Sequence, residues 1–518
     1  MAAKRNRLLC RLRWALVAAS LLVLFTAGVA QGWFSSTQGS AIPAPDQVIS
    51  GLQASLGRSS DITRALGSLG TAVPNKGVVS SAAPVASTSA VLAGPFAING
   101  HQIVDAGQGG NPVALRGVDI MDWTLPTQPG GMVDAGALST LKAWGANMVR
   151  LGISSDDYLQ QCSGEAYDPT YRSELSSAVK ELTAAGIFVI LDIHGSNPNC
   201  LFSGPQASTV VALPGPDVTA TVASLAATYG SNSMVGFEPF NEPQGCALAT
   251  SGPGASIFSP SSAESTGTCS TEQSAALAWG NPGTVTVQGV NVLGAYILGK
   301  SYQSPGMNGL YQTIMNNVPA GAPPPLVFLD ANYFASDPST FDNLGAPLMT
   351  ASNIVEVFHP YDCQDGSVGS LVSNAVCRDM TPEFCSTTNQ YVEHDLIDPS
   401  TGAQATRPVV FDEINFPAGE EAYWGHVNGS EVPIVVYQQG YWVNNMIAAM
   451  QAGGAAGWGI FYFQIADVNQ GVTAYSMLQP GITAATPTPW PVNSNDAPAV
   501  AAMGGKQLSC EDPPLGFG

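Results

Sequence analysis

The chain has 518 residues, 45% of them hydrophobic and only 11% charged, and its formal net charge is −21. This apolar content suffices for the core of one large α/β barrel with insertions, or of two smaller domains. The acidic balance excludes nucleic acid and anionic membrane surfaces as partners, because both repel a negatively charged body.

The N-terminus has the pattern of a secretory signal, in which basic residues precede an apolar run, Trp14 to Ala30, that ends in small residues. We therefore predict a signal peptide over residues 1–30, cleaved after Ala30, and a secreted protein with no membrane contact after cleavage. The alternative is an uncleaved anchor that tethers the protein, because the run is only slightly shorter than the about 20 residues of a membrane span.

Eight cysteines remain once the predicted signal is removed, and an even number in an exported chain predicts disulfides. The cysteines show no Cys-x-x-Cys spacing and the five histidines show no metal-type spacing, so we predict neither a metal site nor a cofactor. Proximity of neighbouring loops favours particular pairs, although the sequence leaves the connectivity open: Cys162–Cys200, Cys246–Cys269, and one pair among Cys363, Cys377 and Cys385.

Residues 31–94 are rich in Ser, Ala, Gly and Pro, which predicts an extension or linker. Folded sequence begins near Pro95, where Asn99-Gly100 separates two short apolar runs. This pattern predicts a β-hairpin that closes the floor of a barrel. We assign residues 95–518 to one folded domain.

Within that domain, apolar runs of strand length alternate with amphipathic stretches of helix length, which predicts a (β/α)8 barrel. The predicted helices are Gly136–Trp144, Tyr171–Ala185, Val218–Tyr229, Met307–Asn316 and Val436–Ala452. The predicted strands are Ala114–Met121, Met148–Ile153, Phe188–His194, Val235–Phe240, Leu326–Ala331, Ile354–His359, Val409–Glu413 and Gly457–Gln464.

Two connections are longer than a barrel requires. Residues 244–305 follow the fourth predicted strand, and residues 362–390, with three cysteines, follow the sixth. Both are expected on the C-terminal face of the barrel, where the active sites of such barrels are built. We predict that they shape a cleft there.

Two carboxyl groups stand at strand ends, Glu242 in Asn241-Glu242-Pro243 after the fourth strand and Glu413 at the end of the seventh. Their side chains can enter the mouth of a barrel from opposite sides. Cleavage of a glycosidic bond with retention uses one carboxyl to protonate the leaving oxygen and another, about 5 Å away, to attack the anomeric carbon. Asn241 is placed to hydrogen-bond the sugar 2-hydroxyl, so the pattern predicts a retaining glycosidase.

Over residues 95–510 the chain resembles glycoside hydrolase family 5, the cellulase family. The resemblance implies that Glu242 is the acid/base and Glu413 the nucleophile. It further implies that Arg150 keeps Glu413 ionised and that Tyr361 holds its oxygen. The remaining matched positions are His194 at the third strand and His359 at the sixth. Two readings of these histidines are open: they bind sugar hydroxyls or tune Glu242, or they are only hydrogen-bonded residues at the rim.

The sequence departs from the family pattern at two positions. The family carries Gly two residues after the nucleophile, where this chain has Asn415. Its strand-eight tryptophan, the platform for the scissile sugar, corresponds here to Phe461, with Trp458 three residues earlier. Other aromatic candidates for sugar stacking are Trp123, Tyr158, Tyr333 and Trp424.

The resemblance implies a glycoside hydrolase that acts on a β-linked polysaccharide. Together with the predicted signal peptide, it leads us to expect a secreted, monomeric endo-β-1,4-glucanase. The first alternative is a β-mannanase or another β-glycan hydrolase, because one scaffold hosts several specificities by loop variation. A second alternative, of another class, is a non-catalytic carbohydrate-binding protein on a hydrolase barrel, although both carboxyl groups are present. An exported adhesion protein is favoured only by residues 31–94.

Overall fold

The computed structural model contains a closed barrel of eight parallel strands that follow one another around the barrel in chain order. This confirms the predicted (β/α)8 barrel. From the first to the eighth, the barrel strands are Leu115–Trp123, Met148–Ser154, Phe188–Gly195, Val235–Glu238, Val327–Asp330, Ile354–Val357, Val409–Ile414 and Gly457–Ile460. The structure describes residues 92–123, 133–163, 167–201, 213–243, 247–248, 264–265, 268–269, 272–287, 301–335, 339–342, 348–359, 406–414, 423–427, 430–435, 439–461, 463, 477–478, 482, 486–493 and 496–509.

Helices occupy the connections between the strands, and each of the five predicted helices is present with ends that differ by a few residues. The α-helices are Ala135–Trp144, Ser155–Leu159, Tyr171–Ala184, Pro216–Tyr229, Glu272–Gly280, Gly306–Asn317, Asn332–Ala335, Ser339–Asp342, Gln439–Gly453 and Ala497–Met503. Short 3₁₀ helices cover Ala106–Gln108, Pro198–Cys200 and Leu348–Thr350. Among the described residues, no helix combines the length and the apolar character that a bilayer crossing requires.

The fourth barrel strand is shorter than predicted, because it ends at Glu238, immediately before Pro239. Proline has no N–H to donate to a neighbouring strand, so it ends the ladder there. Beyond it, the Asn241 N–H donates to the Ile193 carbonyl oxygen at 3.0 Å and the Glu242 N–H donates to Asp330 at 2.6 Å, so both residues are held at the C-terminal ends of the neighbouring strands.

The N-terminal hairpin is present as predicted. Phe96–Asn99 pairs with Gln102–Asp105 around the Asn99-Gly100 turn, and Asn111–Val113 adds a third strand. Phe96 contacts Phe188 edge to face, with ring centroids 4.9 Å apart. Both rings belong to an apolar cluster that also holds the first residues of several barrel strands, so the hairpin closes the floor of the barrel.

The insertion after the fourth strand contains more regular structure than its Ser- and Gly-rich composition predicted. Besides the helix Glu272–Gly280, it includes five short strands outside the barrel: Ala247–Leu248, Glu264–Ser265, Thr268–Cys269, Gly283–Val287 and Ser301–Ser304. A further hairpin outside the barrel, Tyr423–Val427 with Ser430–Val435, follows the seventh barrel strand. Trp279 of this helix is fully buried. The second predicted long loop, residues 362–390, lies outside the described residues.

The disulfide Cys162–Cys200 is confirmed and links the connections that follow the second and third strands. It closes a separation of 38 residues, for which the chain-entropy model gives a stabilisation of about 4 kcal/mol. The other predicted pairs, Cys246–Cys269 and the one among Cys363, Cys377 and Cys385, lie outside the residues whose side chains are described. The predicted domain boundaries after residues 30 and 94 stay predictions.

Asp496 is a buried carboxyl group outside the barrel strands. It precedes the helix Ala497–Met503, yet its side chain makes no capping hydrogen bond. Within the described part of the chain, neither of its carboxylate oxygens has a hydrogen-bond partner. Burial raises the pKa of Asp496 to about 8, because the charged form loses its hydration without compensation.

We expect Asp496→Asn to stabilise the protein in alkaline solution. Between the ordinary aspartate pKa of about 4 and the raised value, the folded chain binds a proton that the unfolded chain has lost, so wild-type stability falls as pH rises through this window. The amide cannot ionise, and the variant should gain at most about 6 kcal/mol at pH 8 and above. Thermal unfolding measured from pH 4 to pH 9 checks this, and an equal gain in Tm at pH 4.5 and pH 8.5 contradicts it.

Candidate active site

The barrel interior changes from apolar to polar along the strands. Side chains alternate across a strand, so every second residue faces inward. On the third strand the inward series begins with Phe188 and Ile190, which belong to the apolar floor cluster, and continues with Asp192 and His194. The polar positions therefore lie toward the C-terminal end of the barrel, where the active sites of this fold are found.

One layer above the apolar floor, five strands each contribute a fully buried carboxyl group. We call these five residues the acid layer: Asp119, Asp192, Glu238, Asp330 and Asp412. Gly459 of the eighth strand leaves space for two members of the layer. A Cβ at this position would lie 2.6 Å from the Asp412 carbonyl oxygen and 3.3 Å from Asp119 Oδ1.

Arg150 of the second strand stands at the centre of the acid layer and is completely buried. Its guanidinium forms two hydrogen bonds with Glu238, one of them at 2.7 Å from Nε to Oε2. Three other members of the layer lie within 4.0 Å of it: Asp119 at 3.6 Å, Asp192 at 3.1 Å and Asp412 at 3.8 Å. A buried cation surrounded in this way keeps its charge.

One guanidinium does not offset the burial of five carboxyl groups, and the pKa values of four members of the layer are raised. Burial raises the pKa of Asp192 to about 6 and that of Glu238 to about 7, against the lowering effect of Arg150. Burial and the neighbouring charge of Glu413 raise the pKa of Asp119 well above its ordinary value. Among the described residues, neither carboxylate oxygen of Asp119 has a hydrogen-bond partner.

Glu413 joins this layer through an irregularity in the seventh strand. Strict alternation would direct consecutive residues to opposite faces, yet Asp412 and Glu413 both contact Arg150. The pairing of the seventh strand with the eighth shifts register between Phe411 and Ile414, the mark of a β-bulge. The bulge turns Glu413 into the site, where it accepts a hydrogen bond from Arg150 Nη1.

Glu242 approaches Glu413 from the opposite side of the mouth. A carboxylate oxygen of each, together with a ring nitrogen of His359, lie within 4.8 Å of one another. His359 Nδ1 is 3.1 Å from Glu242 Oε1 and 3.6 Å from Glu413 Oε2. The side chain of Glu242 is 19% exposed and that of Glu413 only 3%, so Glu242 is the carboxyl that water and a leaving group reach more easily.

His359 is buried between carboxyl groups. Its Nδ1 faces Glu242, and its Nε2 lies 3.2 Å from Asp412 Oδ1 and 3.6 Å from Asp330 Oδ2. Burial alone would lower the pKa of His359, but the charges of Glu413 and Asp330 and the hydrogen bonds to Asp412 and Glu242 hold it well above its ordinary value. Each ring nitrogen thus faces a carboxyl group, which favours the tuning role for this histidine over direct contact with a sugar.

The position of His359 also bears on metal binding. One ligand atom each of Glu238, Asp330, His359 and Asp412 lie within 4.8 Å of one another, a spacing that could hold a metal ion. A metal needs an unprotonated imidazole nitrogen. The raised pKa of His359 means that a metal ion would compete with a proton for that nitrogen.

Three further predicted residues lie around the two glutamates. Asn241 Oδ1 accepts a hydrogen bond of 2.8 Å from Arg150 Nη2, while Asn241 Nδ2 has no partner among the described residues. His194 Nδ1 lies 2.8 Å from Asp192 Oδ2 and 3.7 Å from Glu413 Oε1. Phe461 stacks on the His194 ring, with centroids 6.5 Å apart and an interplanar angle of 16°.

The structure thus brings together Arg150, His194, Asn241, Glu242, His359, Glu413 and Phe461. Tyr361 lies outside the described residues, as do the side chains of the aromatic candidates Trp123, Tyr333 and Trp424. Tyr158, the remaining aromatic candidate for sugar stacking, was a wrong expectation: it is a core residue whose hydroxyl group lies 2.9 Å from Ser224 Oγ.

The acid layer was not among the predicted site residues, although a signal for it exists in the sequence. Four of its members are lone acids that follow an apolar residue of a strand, for example in Val118-Asp119-Ile120 and Leu329-Asp330-Ala331, and Asp412 stands in an apolar strand beside Glu413. A carboxyl in such a run is buried by the strand that carries it. Buried carboxyls need charged or hydrogen-bonding partners, so a recurrence of this pattern on several strands indicates a common polar layer.

A family model described as Cellulase (glycosyl hydrolase family 5) matches residues 106–399, which is more than half of the chain. The match includes the first six barrel strands, and with them Arg150, His194, Asn241, Glu242 and His359. It ends before the seventh strand, which carries Glu413. No curated protein was found to match the chain.

Solved structures with similar folds include three enzymes. The β-glucanase of Saccharophagus degradans is 15% identical, with 79% of this chain and 92% of that chain covered and a TM-score of 0.45. The endocellulase of Pyrococcus horikoshii, in complex with cellotetraose, is 15% identical, with 79% and 98% covered and a TM-score of 0.45. The endoglucanase catalytic domain of Thermobifida fusca, also with cellotetraose, is 17% identical, with 79% and 97% covered and a TM-score of 0.43.

Proposed function

The chain belongs to the cellulase family, glycosyl hydrolase family 5, and on that premise we propose that it is a retaining endo-β-1,4-glucanase with Glu413 as nucleophile and Glu242 as acid/base. The family makes it a glycoside hydrolase. The observation that carries the proposed mechanism is the separation of the two glutamates, whose oxygens approach within 4.8 Å. Retaining glycosidases hold their carboxyls about 5 Å apart, whereas inverting ones leave room for a water molecule at more than about 6.5 Å.

In the first step, a carboxylate oxygen of Glu413 forms a bond to the anomeric carbon while the glycosidic oxygen leaves with its bonding electrons. Glu242 transfers its proton to that oxygen. The hydrogen bond from Arg150 to Glu413 favours the ionised form that the attack requires. The bulge at the end of the seventh strand directs this oxygen into the mouth.

In the second step, Glu242 accepts a proton from water, whose oxygen attacks the anomeric carbon and releases Glu413 as a carboxylate. The amide nitrogen of Asn241, which has no partner among the described residues, supports a hydrogen bond to the sugar 2-hydroxyl, a contact that strengthens in the transition state. Phe461, which is half-buried at the rim, supports contact with a sugar face.

The proposal extends to the location and the oligomeric state of the enzyme. The basic and apolar N-terminal pattern supports secretion with a signal over residues 1–30. The disulfide Cys162–Cys200 supports an oxidising compartment. A secreted hydrolase meets polymers rather than phosphorylated metabolites, and the acidic chain suits a neutral glycan. We propose that the enzyme acts on such a polymer as a monomer.

A glycan panel tests the substrate. We expect the full chain to depolymerise a soluble β-1,4-glucan, with viscosity falling well before reducing ends accumulate, because internal cleavage shortens chains early. β-Mannan and xylan serve as comparison polymers. Faster hydrolysis of mannan than of glucan would move the assignment to the mannanase alternative, and release of single small products from chain ends would replace the endo mode with an exo mode.

The stereochemistry of the same reaction tests the mechanism. Proton NMR of the first products should show the β-anomer before mutarotation, because two displacements at one carbon restore its configuration. Initial appearance of the α-anomer would contradict the retaining scheme. Absence of hydrolysis on every polymer, with a folded chain, would favour the carbohydrate-binding alternative.

A further inference from the structure

The carboxyl group of Asp330, at the end of the fifth barrel strand, contacts the backbone of Glu242 and not its side chain. Asp330 Oδ2 accepts a hydrogen bond of 2.6 Å from the Glu242 N–H. The two residues are 88 positions apart in the sequence. Asp330 is fully buried, so a contact of this kind exchanges no partner with water and holds its geometry.

The backbone of Glu242 needs such a constraint. Its φ of 47° lies in the left-handed region, which side chains other than glycine adopt at a cost. A residue in this conformation persists where its surroundings fix it, and such residues concentrate at functional sites. The hydrogen bond from its own N–H to a buried carboxylate is a direct fixing contact for that conformation.

Asp330 also lies next to the histidine that contacts the Glu242 side chain. Its Oδ2 is 3.6 Å from His359 Nε2, while His359 Nδ1 is 3.1 Å from Glu242 Oε1. Asp330 Oδ2 therefore contacts Glu242 in two ways. It accepts a hydrogen bond from the Glu242 backbone N–H, and it lies against the His359 ring that contacts the Glu242 side chain.

The insertion after the fourth strand holds Asp330 in turn. Trp279 Nε1 donates a hydrogen bond of 3.1 Å to the Asp330 carbonyl oxygen. The Trp279 ring is fully buried and packs edge to face on Phe341, with centroids 6.1 Å apart. The insertion thus contacts the backbone of Asp330.

We propose that Asp330, braced by Trp279 of the insertion, is a positioning residue that sets the direction from which Glu242 delivers its proton to the leaving group. The inference rests on the proposed role of Glu242 as acid/base. It predicts a larger effect on substrates whose departure needs that proton, because Asp330 contacts Glu242 directly and reaches Glu413 only through His359.

Asp330→Ala tests this with two substrates, an aryl β-glycoside whose phenol leaves without a proton and an unactivated alkyl glycoside or oligosaccharide. We expect kcat/KM on the unactivated substrate to fall by roughly 10²-fold, the size of a general-acid contribution. On the activated aryl glycoside the loss should stay below about 10-fold. Asp330→Asn, which keeps an acceptor oxygen for the Glu242 N–H, should retain more activity on the unactivated substrate than Asp330→Ala.

A matched control exists at the opposite end of the barrel. Asp105 is likewise buried and accepts a backbone hydrogen bond, of 2.9 Å from the Ala93 N–H. Asp105→Ala should leave the ratio of the two kcat/KM values unchanged. Trp279→Phe, which removes the indole N–H, should shift the ratio in the same direction as Asp330→Ala by a smaller factor, and it serves where Asp330→Ala does not fold.

Equal losses on both substrates in Asp330→Ala, or a ratio no different from that of Asp105→Ala, would overturn the inference. Glu242→Ala is measured beside it on the same pair. If Glu242→Ala discriminates strongly between the substrates and neither Asp330→Ala nor Trp279→Phe does, the positioning role is lost and the acid/base assignment stands. If Glu242→Ala fails to discriminate, the acid/base assignment itself falls.

Discussion

Glu413→Gln is expected to lower kcat by roughly 10⁴-fold or more while the protein stays folded. A neutral amide oxygen cannot form the covalent bond to the anomeric carbon that the proposed first step requires. The fold should survive because Arg150 keeps its remaining carboxylate partners, among them Glu238 with two hydrogen bonds. Initial rates on an aryl β-glycoside and circular dichroism of the variant measure the two parts.

A matched control is Glu356→Gln. Glu356 is also a buried glutamate of a barrel strand, but it pairs with Arg407 at 3.1 Å, outside the acid layer. Its substitution should change kcat by less than about 2-fold, as expected for a group remote from the chemistry. A 2-fluoro-glycoside that traps the intermediate should label the peptide with Glu413 in the wild type. Label on another residue, or near-normal turnover of Glu413→Gln, would contradict the assignment.

The sequence was sufficient for the barrel, because each strand is a near-continuous apolar run between helix-length stretches, a pattern typical of a buried parallel sheet. It was also sufficient for the positions of Glu242 and Glu413, since residues that end parallel strands meet at one face of the barrel. The apolar pattern was not sufficient for the ends of the strands. The fourth strand ends before Pro239, which cannot donate a backbone hydrogen bond, although the apolar run continues to Phe240.

The acid layer and its internal contacts could not be read in the same way. Asp119, Asp192 and Asp330 are separated by tens of residues, and only closure of the barrel brings them to one level. The bulge that turns Glu413 toward Arg150 is a backbone register shift between Phe411 and Ile414, with no motif of its own in the sequence. Contacts of the backbone, such as that of Asp330 with the Glu242 N–H, leave no mark on residue types at all.

Glu242→Ala is expected to separate the two steps of the reaction. Without its general acid, the variant should lose roughly 10³-fold or more in kcat/KM on a β-glucan, whose leaving oxygen needs a proton. On an aryl glycoside with an acidic phenol, the first step needs no proton and should stay within about 10-fold of the wild type. The intermediate on Glu413 should then accumulate, because no base remains to activate water.

Azide resolves which step has stalled and which carboxyl is which. It is small enough to enter the space left by the Glu242 side chain and, as an anion, attacks without a general base. We expect added azide to raise the turnover of Glu242→Ala on the aryl glycoside and to give the β-glycosyl azide, since a second displacement restores the configuration. In Glu413→Ala, any azide product should be the α-anomer, formed by a single displacement. An α-azide from Glu242→Ala and a β-azide from Glu413→Ala would show that the two glutamates have the opposite roles. The exposed fractions of the two side chains, 19% for Glu242 and 3% for Glu413, favour the roles proposed here.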